Sequence, residues 1–524
     1  MLFTTYGFLA FMAALIPAYY LCPKGHRWKL LLAASAVFYA FSGAANLIFI
    51  AATAVSSYAA ARAMDSLHAA QSDFLKNGNC SREEKKLYRA ANKSKRLRWL
   101  AACLTLNFGA LAVLKYADFA FSGFNSLFRP STEFAGFGFL LPFGISFYTF
   151  QTMGYVIDVY RGKYAAERSP FKLALFTSFF PQLIQGPISR FDDLKKTLYN
   201  QNAFDAKNLS YGLQRVLFGL FKKLVIADRL LIAIRTVTAD PETYGGLYAL
   251  MGVTLYAAAL YADFTGGIDI AIGAAETLGI RISENFNSPF YSKSITEYWR
   301  RWHITLGAWF RDYMFYPISV CGPMLRLTRK ARASIGDGFG RRVTVYIATM
   351  AVWFTTGLWH GARLNFILWG VINGAVIIAS QECEPLYARF HGRFKLKDTP
   401  VYGAFEVVRT FCLMSFIRSL DIYADAGTTF RALGSIFTRF IPEGFTISGL
   451  TALGLSAADY AVAAAAIALL IVLGRARARG GIRDILARHA ALRYAAVLAM
   501  ALCVIIFGIY GAGYDAKQFI YGQF

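Results

Sequence analysis

Charge is what this chain of 524 residues has least of: Asp, Glu, Lys and Arg make up 16% of it, against 56% for the hydrophobic types. Soluble domains carry roughly a quarter charged residues, so the two to four water-soluble domains that length alone permits are excluded. The seven cysteines are scattered without a CxxC pair, which leaves neither a disulfide framework nor a thiolate metal site, and no metal ligands are expected. No repeat with a period of about 20–50 residues is visible, and no Gly/Ser-rich linker divides the chain. A single membrane-embedded domain over residues 1–524 is the economical reading.

What the chain has in abundance is uncharged sequence. Runs of about 20 residues, each able to cross the apolar core of a bilayer as a helix, recur from end to end: Leu2–Cys22, Leu30–Ala61, Trp99–Leu114, Phe134–Ile157, Leu173–Ser189, Gly245–Ala262, Val343–Ala362, Leu364–Gln381, Tyr460–Gly474 and Tyr494–Tyr514. Leu30–Ala61 is too long for one span and breaks naturally at Ser42-Gly43. Asn208–Ile234 and Val401–Leu420 are weaker candidates, interrupted by Lys, Arg and acidic residues. The expectation is an all-α polytopic membrane protein with about ten to thirteen spans. Leu2–Cys22 lacks a basic leader and an obvious cleavage site, so it reads as a retained span.

Acidic residues are scarce even beside the basic ones, 31 against 55, and the net charge is +24. In a soluble protein that excess would point to nucleic acid. Here fifteen of the twenty-four charges sit in Ser81–Arg98, Arg326–Arg342 and Arg475–Arg488. Basic clusters beside spans mark the cytoplasmic side and meet anionic lipid headgroups there. Membrane lipid is therefore an expected partner and nucleic acid is not. Counting spans outward from these clusters, read as loops, places both termini outside the cytoplasm.

Ionisable groups at membrane depth are costly and point to function. They are densest in Tyr261–Pro317, which holds Asp263 and Asp269, then Asn285 and Asn287, then the string Ser294-Ile295-Thr296-Glu297-Tyr298-Trp299-Arg300-Arg301-Trp302-His303. Ser294 with Glu297 reads as a capping box. On the helix it opens, Glu297 and Arg301 are i,i+4 partners, and Trp299 and His303 are expected on one face. The second concentration is Thr355–Ala362. His360 lies about eighteen residues into a run that begins at Arg342, or about 27 Å along a helix. Gly357 and Gly361 flank Leu358-Trp359-His360 and permit a kink or close backbone approach. A neutral imidazole there is able to act as a general base. A buried histidine also often does no more than satisfy a backbone carbonyl, and composition does not separate the two.

At these residues the sequence resembles the bacterial membrane-bound O-acyltransferases, in the branch of the alginate and peptidoglycan O-acetyltransferases. The matching segments are LPFGISFYTF at Leu141–Phe150, YVIDVYRG at Tyr155–Gly162, FFPQLIQGPISRF at Phe179–Phe191 and YADFTGGIDIAIG at Tyr261–Gly273. They continue with ENFNSPFYSKSITEYWRRWHITLGAWFRDY at Glu284–Tyr313, GLWHG at Gly357–Gly361 and GYDAKQFIYGQF at Gly513–Phe524. The resemblance implies helices, some re-entrant or interfacial, around a membrane tunnel that holds the family's histidine, matched by His360. It implies acetyl-CoA as donor substrate with no resident cofactor, a cell-surface polysaccharide as acceptor, and location in a bacterial inner or plasma membrane. A separate extracytoplasmic acetyltransferase or esterase-like partner is implied for the final transfer.

His303 matches a second family histidine, for which a donor-side function competes with helix packing. Trp359, Trp299, Arg300, Arg301, Glu297, Asn285, Asn287, Asp269 and Asn373 are candidate tunnel-lining residues. Internal ion pairing is the competing reading for the charged ones, with Asp263, and backbone bonding for Asn285 and Asn287. Tyr521 resembles the tyrosine in the branch's aromatic ending, where it is a candidate acyl relay or else an interfacial anchor. The chain departs from the branch at Asn373, which stands in a WGxxHG histidine slot and is unable to take a proton near neutral pH. FSGYSD-like patterns also become Phe264–Asp269, without the Tyr and Ser. D-alanyl transfer to teichoic acid is the rival within the enzyme class. A transporter or polysaccharide flippase is the rival outside it.

Overall fold

The computed structural model describes residues 1–76, 80–128, 136–138, 141–200, 202–397, 399–478, 488–511 and 514. Among them the regular structure is helical, with no β-strand and one isolated antiparallel bridge, Phe286 to Trp302. Among the described residues, seven helical segments are long and apolar enough to cross a membrane: Ala44–Lys76, Arg82–Phe128, Leu247–Thr277, Leu364–Glu382, Pro400–Asp421, Ala457–Ala476 and Ala490–Phe507. Tyr6–Leu21 is a shorter apolar helix, opened by Thr5, whose hydroxyl accepts from the Phe8 N–H. The described residues form two compact units, one of Met1–Leu213 with Ala271–Ser283 and one of Gln214–Ile270 with Glu284–Phe524.

In the first unit, the long apolar run Leu30–Ala61 divides as expected. One helix is Arg27–Ala40, a short turn covers Ala44–Asn46, and the next helix is Leu47–Lys76. Gly43 sits in the break at φ +129°. Two windows fold differently from the sequence reading. Ser81–Arg98 is not a loop but the start of the 47-residue helix Arg82–Phe128. Ser81 and Glu84 cap it reciprocally: the Glu84 N–H donates to Ser81 Oγ at 3.2 Å, and the Ser81 N–H donates to Glu84 Oε2 at 2.7 Å. Charge counting reports depth in a membrane; it does not distinguish helix from loop.

Leu173–Ser189 is likewise not one span. Its helix Pro170–Ser178 stops before Phe179, and a four-residue helix Phe180–Leu183 follows. Pro181 supplies no N–H and its ring opposes the preceding turn, so the ladder cannot run through. The freed polar groups are satisfied internally. Gln151 donates to the Phe176 carbonyl at 2.8 Å and accepts from the Ser189 N–H at 3.1 Å. Gln182 donates to the Pro187 carbonyl at 2.7 Å. Gly144, at φ +71°, lies so close to the Leu183 carbonyl that a Cβ has no room.

The second unit carries the segments singled out above. Arg326–Arg342, also read as a loop, is a helical hairpin of Gly322–Ile335 and Asp337–His360. The Asp337–His360 helix then packs tightly on Leu364–Glu382. A Cβ on Gly357 would meet the Phe366 carbonyl, and one on Gly370 would meet the Trp353 carbonyl. Gly370 and Gly374 form a small-xxx-small stripe, the pattern by which membrane helices approach closely. That contact places His360, the last residue of its helix, against the start of the next one.

Candidate active site

His360 ends 24 residues of helix, a rise of about 36 Å. Gly361 closes the helix, its N–H donating to the Gly357 carbonyl at 3.4 Å. The Phe366 ring occupies the space a Cβ on Gly361 would need. Gly357 thus gives the close approach expected of the flanking glycines, while Gly361 ends the helix. The imidazole is 6% exposed. It packs edge-on against Trp369, with centroids 4.7 Å apart, and lies 5.0 Å from Trp359 and 6.3 Å from Phe366. This is an aromatic setting, with ring faces and edges on three sides of the imidazole.

His303 is brought to the same aromatic layer by a different route from the one its spacing predicts. The helix opened by Ser294 runs only from Ile295 to Arg301. Trp302 is extended and bridges to Phe286, and His303 takes the left-handed conformation at φ 51°. Trp299 and His303 therefore do not share a helix face. Asn285 fixes the histidine instead. Its Oδ1 accepts from the Thr305 N–H at 3.0 Å and from Thr305 Oγ1 at 2.9 Å, so its amide nitrogen faces His303 Nδ1, 3.3 Å away. Because the Thr305 N–H is always a donor, the amide orientation is determined. The His303 ring packs on Phe264 at 5.0 Å and on Trp359 at 5.8 Å. Trp359 thus touches both imidazoles.

Trp299 and Asn373 complete the layer. The indole N–H of Trp299 donates to Asn373 Oδ1 at 3.1 Å, while the Asn373 amide donates to the Trp369 carbonyl at 2.8 Å. The Trp299 ring meets Trp369 at 5.5 Å and Trp353 at 4.7 Å. In its slot, Asn373 serves as a hydrogen-bonding clamp between two tryptophans, a task that needs no titratable ring.

The remaining candidates lie outside this layer. Glu297 and Arg301 pair at 2.7 Å on their helix, both partly exposed. Ser294 Oγ caps that helix as expected, but the Glu297 carboxylate accepts from the Lys293 N–H rather than from Ser294. Arg300 and Asn287 are exposed; the Asn287 backbone exchanges hydrogen bonds with Arg301. Tyr521 lies outside the described residues.

Asp269 and Asp263 belong to a buried ion cluster. Asp269 pairs with Arg215 at 2.8 Å and with Lys222, and Arg215 also grips Glu284 at 2.7 Å. Lys223 lies between Asp228 and Asp263, 2.7 Å from each. Both lysines sit on the π-helical stretch Phe221–Ala227, every residue of which is buried. The ion-pairing alternative for these aspartates is the one the structure displays. Sequence reading treated Arg215, Lys222 and Lys223 as mere interruptions of a weak span, and Arg418 likewise. Cations and acids together inside an apolar run were the available signal.

Two buried histidines in a tryptophan-lined layer, in a chain with several helices of membrane length, fit the class of polytopic membrane enzymes. The sequence model of MBOAT, the membrane-bound O-acyltransferase family, matches residues 166–421, which include both histidines, Asn373 and Arg418. A probable alginate O-acetylase of Azotobacter vinelandii is 35% identical over 378 residues, 71% of this chain and 67% of that protein. The peptidoglycan O-acetyltransferase of Helicobacter pylori is 31% identical over 326 residues, 57% of this chain and 58% of that protein. A teichoic acid D-alanyltransferase of Bacillus subtilis is 26% identical over 260 residues, 48% and 61% of the two chains. The aligned stretches span about three fifths to two thirds of these relatives' lengths. The chain belongs to the membrane-bound O-acyltransferase family, and its chemistry is O-acyl transfer.

Proposed function

We propose that the protein is a membrane O-acetyltransferase that moves an acetyl group from cytoplasmic acetyl-CoA across a bacterial inner or plasma membrane toward hydroxyls of a cell-surface polysaccharide. The observation that carries the reading is the buried His360 imidazole among Trp359, Phe366 and Trp369, in a chain with O-acetyltransferase relatives of two polymer types. His360 takes the hydroxyl proton as the oxygen attacks the thioester carbonyl. A C–O bond forms, the tetrahedral intermediate collapses with loss of the C–S bond, and the imidazolium returns its proton to the departing thiolate. General-base assistance of this kind contributes about 10²–10⁴-fold. Basic residues on the cytoplasmic side suit both anionic headgroups and the donor's phosphates.

An extracytoplasmic esterase-like partner completes the transfer in this reading, and both termini face outside. The phenol of Tyr521 is the candidate intermediate acceptor. Replacing His360 with Ala is expected to abolish polymer acetylation at unchanged protein abundance, measured by acyl analysis of the surface polymer. Normal acetylation in that strain would remove the assignment. Tyr521→Phe tests the relay alone, and full activity would exclude an essential phenol. The Bacillus relative keeps one alternative in view, D-alanyl transfer from a carrier protein. Release of free CoA from acetyl-CoA separates that alternative, and any transporter or flippase, from the acetyl reading.

A further inference from the structure

Three tryptophans of the second unit, Trp299, Trp302 and Trp369, are arranged around Arg418. It ends the Pro400–Arg418 helix and is 2% exposed. Its guanidinium carbon is 4.3 Å from the Trp302 ring centroid, 5.5 Å from Trp299 and 5.8 Å from Trp369. Two polar neighbours orient the guanidinium: Nε donates to the Tyr298 hydroxyl at 3.4 Å and an amino group donates to Asp421 Oδ2 at 3.3 Å. Tyr298 in turn stacks on Trp302, 5.6 Å apart and 13° from parallel.

From each of the three tryptophans, one step reaches the candidate active site. Trp369 packs on His360 at 4.7 Å. Trp299 donates to Asn373 at 3.1 Å. Trp302 immediately precedes His303 and fixes it through the bridge to Phe286. A cation over an indole face is attracted by the ring quadrupole, most strongly when dehydrated. A planar guanidinium can stack and hydrogen-bond in its plane at once, which a lysine ammonium cannot. Asp421 sets a carboxyl beside the guanidinium, a polar partner of the kind that buried arginines at membrane depth take.

We infer that Arg418 is a positioning residue for acyl transfer, holding Trp302, Trp299 and Trp369 in the arrangement that aims the His360 imidazole. The inference rests on the O-acetyltransferase reading above. It is tested in inside-out envelope vesicles of the source organism, where acceptor and any partner are present. Each vesicle preparation carries wild type, Arg418→Gln, Arg418→Lys or Tyr298→Phe at matched abundance, and free CoA released from added acetyl-CoA is followed.

Arg418→Gln is expected to lower kcat about 10- to 100-fold, the scale of a small misplacement of a catalytic group, with KM for acetyl-CoA changed by less than about threefold. Arg418→Lys is expected to be as impaired as the Gln variant, because it keeps the charge and loses the plane. The tryptophan near-ultraviolet circular dichroism of both purified variants should change. Should Arg418→Gln fail to accumulate, Tyr298→Phe carries the test: it keeps the ring stack, removes the orienting hydroxyl, and should lower kcat about threefold at normal KM. Full kcat in Arg418→Lys, or undiminished turnover per folded molecule in Arg418→Gln and Tyr298→Phe, would overturn the positioning role alone. A wild type that releases no CoA would overturn the functional reading, and this inference with it.

Discussion

The second unit buries polarity in two contrasting ways. Around the π-helical stretch, charge answers charge: Arg215, Lys222 and Lys223 face Asp228, Asp263, Asp269 and Glu284 at ion-pair distance. Around His303 and His360 the walls are aromatic, and the polar groups are mostly neutral amides and indoles. A closed ion cluster stabilises little relative to an apolar core, but is costly to break singly. Such a cluster ties the π-helical stretch to the helix that carries Asp263 and Asp269 through paired side chains. An imidazole in an aromatic wall is held by ring packing instead, and the neutral form of that ring is the one able to take up a proton. Sequence alone marks Asp263, Asp269 and the two histidines as polarity at depth, but not the cations of the cluster. Only the partners distinguish scaffold from chemistry.

The sharpest way to break this contrast is to remove one member of the ion cluster. Lys223→Met leaves Asp228 and Asp263 buried without the cation between them, and the expected loss is about 3–5 kcal/mol of stability. In detergent the variant should unfold far earlier than the parent or fail to accumulate. Neutralising all three, as Lys223→Met with Asp228→Asn and Asp263→Asn, should recover most of that loss and retain acyl transfer. A triple variant that folds but is inactive would place the cluster in the chemistry after all. Thermal unfolding and CoA release on the same preparations read both outcomes.

The division between what the sequence displayed and what it concealed follows the range of the interactions. The break at Ser42-Gly43, the Ser294 cap and the Glu297–Arg301 pair are local, decided within about one helical turn, and were legible. His360 was legible as well, because a histidine among apolar runs is conspicuous in composition. The left-handed turn at His303 was not. Nothing near it in sequence ends the helix; the bridge from Trp302 to Phe286 and the Asn285 amide, both from a segment about sixteen to eighteen residues earlier, impose that turn. Arg418 was hidden for the same reason. Its partners Tyr298, Trp299, Trp302 and Trp369 are distant in sequence, so its run read only as a poor span.

The mildest perturbation tests how far the aromatic layer depends on its neutral hydrogen bonds. Asn373 clamps the Trp299 indole to the helix that carries Trp369. Hydrogen bonds between membrane helices average about 0.6 kcal/mol, with a maximum near 1.7 kcal/mol, so Asn373→Leu should barely alter thermal stability. If the clamp sets the tryptophan geometry beside His360, kcat should nonetheless fall by about three- to tenfold, because positioning errors act on the rate more than on the fold. Trp299→Phe removes the same hydrogen bond from the other side. The double variant should then be no worse than the more impaired single, the signature of two groups acting through one contact. Additive losses would mean that Asn373 and Trp299 act separately, and that the aromatic layer is held by packing rather than by this clamp.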